Sequence, residues 1–314
     1  MGIAIEIMTI VLPVFIVIGL GCGLKRTGLV NGDFLFQLNR LIYYLALPLL
    51  LFYKIAKADF SKSFNGPQVL ALFLATAIGF AVTYGYGALR KYTPNVRGTF
   101  AQACCRGNLA YVGLAIVYNA YGETGLAGGG VLLGFVVPVF NIFSILALLF
   151  PHRQGRGKAA LSLMVRQVAG NPLIIACFIG TIWSVCRLGV PAVLDRALNI
   201  VTGMALPLAL ISIGASFSFD QIRGDLPKAA QAVCFKLIGM PLLAAGLLLL
   251  LDVHGRDLSI GILFAGTPTA TAAYILAQQM KGDAELSGTI IMLSTLLSIL
   301  TYTIALLVLK TMGV

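Results

Sequence analysis

The sequence predicts an all-α polytopic membrane protein in which ten transmembrane helices form two inverted five-helix repeats, with broken, crossing helices 4 and 9. Three observations lead there. Of 314 residues, 59% are hydrophobic and 11% charged, and the mean hydropathy of +0.96 lies far above that of a water-soluble domain. Ten stretches hold the roughly 20 apolar residues that a span needs. A set of residues also recurs 159 positions on: Ala46-Leu47-Pro48-Leu49 as Ala205-Leu206-Pro207-Leu208, Pro13 as Pro172, Gly21 as Gly180, Phe60 as Phe219 and Gly107 as Gly266. Beyond these the spacing slips by one, matching Gly122-Glu123, Leu126 and Gly128 to Gly282-Asp283, Leu286 and Gly288.

The spans fall at about 5–24, 35–54, 67–89, 97–120, 125–150, 171–188, 193–215, 228–251, 257–280 and 284–309. The first is a retained helix and not a cleaved leader, because no Lys or Arg precedes it and Lys25-Arg26 follow it. Five spans lie in 1–150 and five in 171–314, joined by a polar cytoplasmic linker at 151–170. An odd number of spans per copy sets the copies in opposite orientations, a plan of secondary transporters whose site lies near the bilayer midplane. Within the linker, Leu161, Met164, Val165 and Val168 stand at helical spacing, which fits either a short amphipathic surface helix or a plain connection.

Orientation follows from Lys and Arg, which concentrate in cytoplasmic loops. With both termini outside, Lys25, Arg26, Arg90, Lys91, Arg97, Arg153, Arg156, Lys158, Arg166, Arg223, Lys228 and Lys281 face the cytoplasm, against Lys54, Lys57, Lys62, Arg187, Arg196, Arg256 and Lys310 outside. The location implied is a plasma membrane, in a bacterium the inner one. The net charge of +11 then belongs to loops facing anionic lipid headgroups, and nucleic-acid binding is not implied. Six cysteines form no CxxC pair, and His152 and His254 sit in predicted loops, so neither a metal site nor a cofactor is expected.

The Leu-Pro pairs at Leu47-Pro48 and Leu206-Pro207 predict kinks, since proline removes a donor and clashes with the preceding turn. Span four carries Cys104-Cys105-Arg106-Gly107-Asn108 through Tyr111 and Gly113. An arginine at the centre of a span costs about 2.5 kcal/mol or more, so something must offset it. Span nine reads Gly266-Thr267-Pro268-Thr269-Ala270-Thr271, a break and restart in which Gly266 frees the backbone, Thr267 caps and Pro268 opens the next helix. Irregular backbone at this depth needs protein or a watery cavity around it, so the two breaks are expected to meet. The restarting helices then aim positive dipole ends at the crossing, which favours a small organic anion.

Arg106, Gly107, Asn108, Tyr111, Gly266, Thr267, Pro268, Thr269 and Thr271 are the substrate-binding candidates this reading supplies, with Tyr274 as a second aromatic wall. Each has a plainer role available: Arg106 can snorkel or bind carbonyls, and threonines also mediate helix packing. Lys236 lies about 12 Å into span eight, where it either snorkels or acts as a charge switch. No interior carboxylate is evident, so facilitated transport driven by gradient and potential is expected, at about 2.3 kcal/mol per charge per 100 mV. Sodium coupling through carbonyls, Asn108, Asn141 and Thr or Ser oxygens is the alternative. A non-transporting receptor or scaffold is a further alternative. An intramembrane enzyme would need an interior nucleophile and base or a metal site, and with both histidines in loops and no interior acid it is not expected. Oligomeric state is left open, with a homodimer among the options.

These residues resemble the auxin efflux carrier family, and through it the superfamily of bile acid, arsenite and riboflavin transporters. The likeness rests on Leu38-Asn39 leading to Ala46-Leu47-Pro48, Arg106-Gly107-Asn108 through Gly113-Leu114, Asn141, Lys236 with Pro241, Pro268 through Ala273, and Gly282-Asp283-Ala284-Glu285. It implies ten helices in two inverted repeats, helices four and nine crossing at the transport site, Asn141 near that site, and substrates such as malate, malonate or auxin-like acids. Two departures stand out: plant members are expected to have proline where this chain has Arg106-Gly107-Asn108, and many bacterial relatives proline at Ala115.

Overall fold

A computed structural model describes residues 2–59, 63–150, 162, 165–166, 168–217 and 225–313, and is helical throughout, with no strand among those residues. Phe60, Phe219, His152, Leu161 and Met164 lie outside the described residues, so the Phe60–Phe219 match and the amphipathic stripe of the linker are not described further. Among the described residues seven helices are long and apolar enough to cross a membrane, including Gly66–Leu89, Ala192–Ser216 and Ala284–Thr311. The protein is therefore a multi-pass membrane protein. The shortfall from ten has a local cause: Pro172–Val185 is apolar but short, two predicted spans are broken into helices of 8 to 12 residues, and Leu109–Leu149 holds parts of two. Within that last run Gly122, at φ 61 and ψ −149, turns the chain as only glycine readily does.

The helices are α1 Ile3–Arg26, α2 Gly32–Leu41, α3 Leu47–Lys57, α4 Gly66–Leu89, α5 Pro94–Cys105, α6 Leu114–Leu149, α7 Pro172–Val185, α8 Ala192–Gly203, α9 Ala205–Ser216, α10 Leu226–Cys234, α11 Met240–Leu250, α12 Gly255–Ala265, α13 Ala272–Gln279 and α14 Ala284–Thr311. They divide into two compact units, each drawing segments from both halves of the sequence. The first comprises Met1–Asn65, Ala110–Phe135 and Ala169–Phe217; the second Gly66–Leu109, Val136–Val168 and Ser218–Val314.

In the first unit α1 packs along α9 and α3 along α7. Glycine permits both approaches. A Cβ on Gly21 would stand 2.2 Å from the Ile211 carbonyl oxygen, and one on Gly214 1.8 Å from that of Ile18. Likewise, a Cβ on Gly180 would come 3.1 Å from the Phe52 carbonyl oxygen. Small residues at such contacts let backbones approach, the main source of helix association inside a membrane. The predicted proline kinks are present. Before Leu47-Pro48 the helix opens into a π turn over Ile42–Ala46, with the Leu47 N–H reaching the Ile42 carbonyl; before Leu206-Pro207 it breaks at Met204.

The second unit has its core around Phe100, Ala103, Cys104, Val233, Leu237 and Ile290. Tyr86 and Tyr92 both donate to Gln231 Oε1, at 3.0 and 2.7 Å, tying α4 and the following loop to α10. Asp225 caps α10 and Asp283 caps α14, each accepting a backbone N–H three residues on. A π turn over Phe235–Gly239 precedes Met240-Pro241, so Lys236 is swung to a place regular α geometry would not give it.

Candidate functional site at two helix breaks

The two breaks meet in the second unit. α5 ends at Cys105, α12 at Ala265, and the segments after them run antiparallel with Gly107 opposite Thr269. Asn108 N–H donates to the Pro268 carbonyl at 2.8 Å, and Ala270 N–H to the Arg106 carbonyl at 3.0 Å. The unwound backbone is thus satisfied by a two-bond ladder in place of helix. Gly107 and Thr269 form a non-hydrogen-bonded pair, the closer of the two antiparallel spacings. That closeness explains Gly107: a Cβ there would sit 2.0 Å from Thr267 Oγ1 and 3.4 Å from Lys236 Nζ.

Side chains lock the crossing. Thr269 donates its hydroxyl to the Ala103 carbonyl at 2.9 Å and its N–H to Ser294 Oγ at 3.1 Å. Thr267 donates to the Phe264 carbonyl at 2.8 Å, and Gln102 Nε2 to the Ala273 carbonyl at 3.1 Å. These bonds correct two expectations. Thr267 does not cap the restarting helix; it satisfies the end of α12. Pro268 does not open a helix, because pairing with residues 106–108 holds it extended, and α13 begins only at Ala272 with Thr271 before it. Thr267 and Thr269 therefore spend their hydroxyl hydrogens on backbone carbonyls and offer an anion no hydroxyl donor.

Asn108 is buried, and its side-chain amide bonds to no other described residue. Arg106 is half-buried and extended at φ −83 and ψ 102. Successive side chains of extended chain face opposite ways, so Arg106 and Asn108 share one side of the crossing while Gly107 faces Thr267 and Lys236. Thr271 is half-buried where α13 starts, and Tyr274 is half-buried one turn on, its hydroxyl accepting from Gln278. Gly266 follows α12 as its C-cap, buried like Thr267. Asn141 is buried in the second unit, on α6, whereas Tyr111 is half-buried and belongs to the first unit. The crossing thus gathers Arg106, Gly107, Asn108, Gly266, Thr267, Pro268 and Thr269, with Thr271 at its edge.

Lys236 was expected to snorkel or to switch charge. It does not snorkel: it is 1% exposed, and its ammonium donates to the Ala265 carbonyl at 2.6 Å. The last carbonyls of a helix carry partial negative charge, so a cation at the end of α12 is favourably placed. Ser294 and Gln102 are site residues that sequence reasoning left out, and Lys236 it named as a charge but not as a binding candidate. Only Lys236 carried a signal, a charge deep in an apolar span.

Among the described residues no cluster of His, Cys, Asp or Glu has the make-up of a metal site, and the six cysteines are free. Comparison with known proteins gives one consistent result. The family described as "Membrane transport protein" matches residues 6–306. An uncharacterized transporter of Methanothermobacter thermautotrophicus is 26% identical over 293 residues, 93% of this chain and 94% of that one. A putative malonate transporter of Rhizobium meliloti is 26% identical over 310 residues, 95% of this chain and 94% of its own. Auxin efflux carrier component 6 of Arabidopsis thaliana is 24% identical over 148 residues, 45% of this chain and 26% of that protein.

Proposed function

Given that the chain belongs to the membrane transport protein family, we propose that it is a secondary transporter of small organic anions, carboxylates such as malonate, malate or auxin-like acids, which bind where the predicted spans four and nine cross, after α5 and α12. The antiparallel crossing at Gly107 and Thr269 carries this reading. Broken helices that pair by backbone inside a membrane protein have no need to break for packing alone; they expose peptide groups and helix ends to a ligand. Arg106 brings a guanidinium and Asn108 an amide with no other described partner, and α13 begins at Ala272, two residues past the Ala270 N–H that bonds the Arg106 carbonyl, its N-terminal end favouring negative charge. The name of the Rhizobium meliloti relative agrees with a carboxylate substrate.

The same proposal takes the ten spans as two inverted repeats, and the contact pattern supports it. Gly21 meets the Ile211 carbonyl, and Gly180 meets that of Phe52; each member of the first pair stands 159 residues from a member of the second. Exchanging the copies therefore exchanges the two contacts. The crossing behaves likewise, because its central bond joins Asn108 to Pro268, 160 apart, the spacing that relates Gly122 to Gly282. In this reading both termini face outward from a bacterial inner membrane, and the carrier works by alternating access.

Transport driven by potential alone is tested in proteoliposomes loaded with radiolabelled malonate, given a potassium diffusion potential and free of sodium. Efflux that rises as the interior becomes more negative supports the proposal. Transport insensitive to potential but dependent on sodium replaces it with sodium-coupled symport, and no flux of any carboxylate overturns it.

A further inference from the structure

Lys236 carries a charge that no described residue of the second unit neutralises. It is the only charged side chain among the buried described residues, and no described carboxylate comes within ion-pair distance of it. The described acids of this unit sit elsewhere: Asp225 and Asp283 cap helices, Asp257 and Glu285 lie in first turns, and Asp252 is in a loop. Of the ammonium's three N–H bonds, one goes to the Ala265 carbonyl. Lys236 also lines a cavity, walled by Leu72, Ala75, Thr76, Cys105, Phe140 and Met240, with room for about one water-sized group. Thr76 already donates to the Leu72 carbonyl, so it adds no positive hydrogen there.

A buried cation with spare donors beside a small void in apolar surroundings is complementary to one thing, a small anionic group. We propose that this cavity holds a small monovalent anion as the counter-ion of Lys236. It lies on the Gly107 side of the crossing, away from Arg106 and Asn108, so it is a second anion site beyond the transport reading. Its occupant is a free halide, because a carboxylate with its attached chain exceeds the one water-sized group the cavity admits. By neutralising the ammonium it would keep the end of α12 in place while the other side handles substrate.

The test uses the purified full chain in detergent, comparing sodium chloride with sodium gluconate at matched ionic strength. Wild-type protein is expected to show a saturable rise in unfolding midpoint with chloride, about 3 °C at tenfold excess over the dissociation constant. Lys236→Met is expected to show none. Broadening of the chloride-35 NMR line by wild type gives an independent reading, and Ala75→Val, which fills part of the cavity and keeps the ammonium, should abolish it. Broadening that persists with malonate present supports a halide site apart from the substrate, whereas relief by malonate would place the chloride at the transport site and overturn this proposal. Equal chloride responses of wild type and Lys236→Met, or no broadening by wild type, would mean that the cavity holds only water. Carboxylate flux without any such response overturns this proposal alone, whereas a chloride response without flux leaves it standing and removes the transport reading.

Discussion

Adding one methyl group at Gly107 is the sharpest perturbation the crossing allows. An alanine Cβ would stand 2.0 Å from Thr267 Oγ1, far inside contact distance, and the hydroxyl has nowhere to retreat because it is bonded to the Phe264 carbonyl at 2.8 Å. Either that bond breaks or the antiparallel segments move apart. Breaking it loses about 1 kcal/mol, the Phe264 carbonyl keeping only the Thr267 N–H at 3.2 Å, and forcing the segments apart carries an overpacking cost of about 1–3 kcal/mol. Gly107→Ala is therefore expected to destabilise the protein by about 2–4 kcal/mol, read as a lower unfolding midpoint in detergent. Thr267→Ala alone should cost about 1 kcal/mol. In the double variant the clashing oxygen is gone, so the two losses should fall short of additive by at least about 1 kcal/mol. A Gly107→Ala protein with wild-type midpoint, or strict additivity in the cycle, would refute the packing of the crossing.

Other outcomes follow from the same contacts. Gly214→Ala sets a Cβ 1.8 Å from the Ile18 carbonyl oxygen, a backbone atom that cannot swing away, so α1 and α9 must separate and the midpoint should fall by several degrees. Thr269→Val removes the bond to the Ala103 carbonyl and should destabilise by about 1–3 kcal/mol in the same assay. Glu123→Gln breaks the 2.7 Å pair with Lys54, but Glu123 is largely solvated, so stability should change by no more than about 1 kcal/mol.

Much of this was legible because glycine and proline punctuate a chain in which almost everything else is apolar. Pro48 and Pro207 announce kinks through chemistry local to one helix, and both kinks are present. The breaks near Gly107 and Gly266 were readable for the same reason. What the residues near 267 do was not, because an isolated Thr-Pro reads as a helix start, while here a pairing with residues more than 150 positions away holds it extended. Lys236 shows a similar limit. Its depth in span eight was plain, but the π turn before Pro241 and the Ala265 carbonyl that receives it belong to other parts of the fold. Nor does composition reveal that the compact units interleave the two halves of the chain, since helix-to-helix partners are chosen by small-residue contacts such as Gly21 with Ile211.

The central claim, that carboxylates bind where the two broken helices cross, is tested most directly by counterflow: uptake of labelled malonate into proteoliposomes preloaded with unlabelled malonate, which needs no assumption about coupling. Wild type is expected to accumulate label transiently. Asn108→Ala, which removes the free amide while leaving the backbone bond to Pro268, should lower the initial rate at low substrate about tenfold, the worth of one hydrogen bond to a charged group. Unchanged counterflow in a folded Asn108→Ala protein would place the carboxylate somewhere other than this crossing.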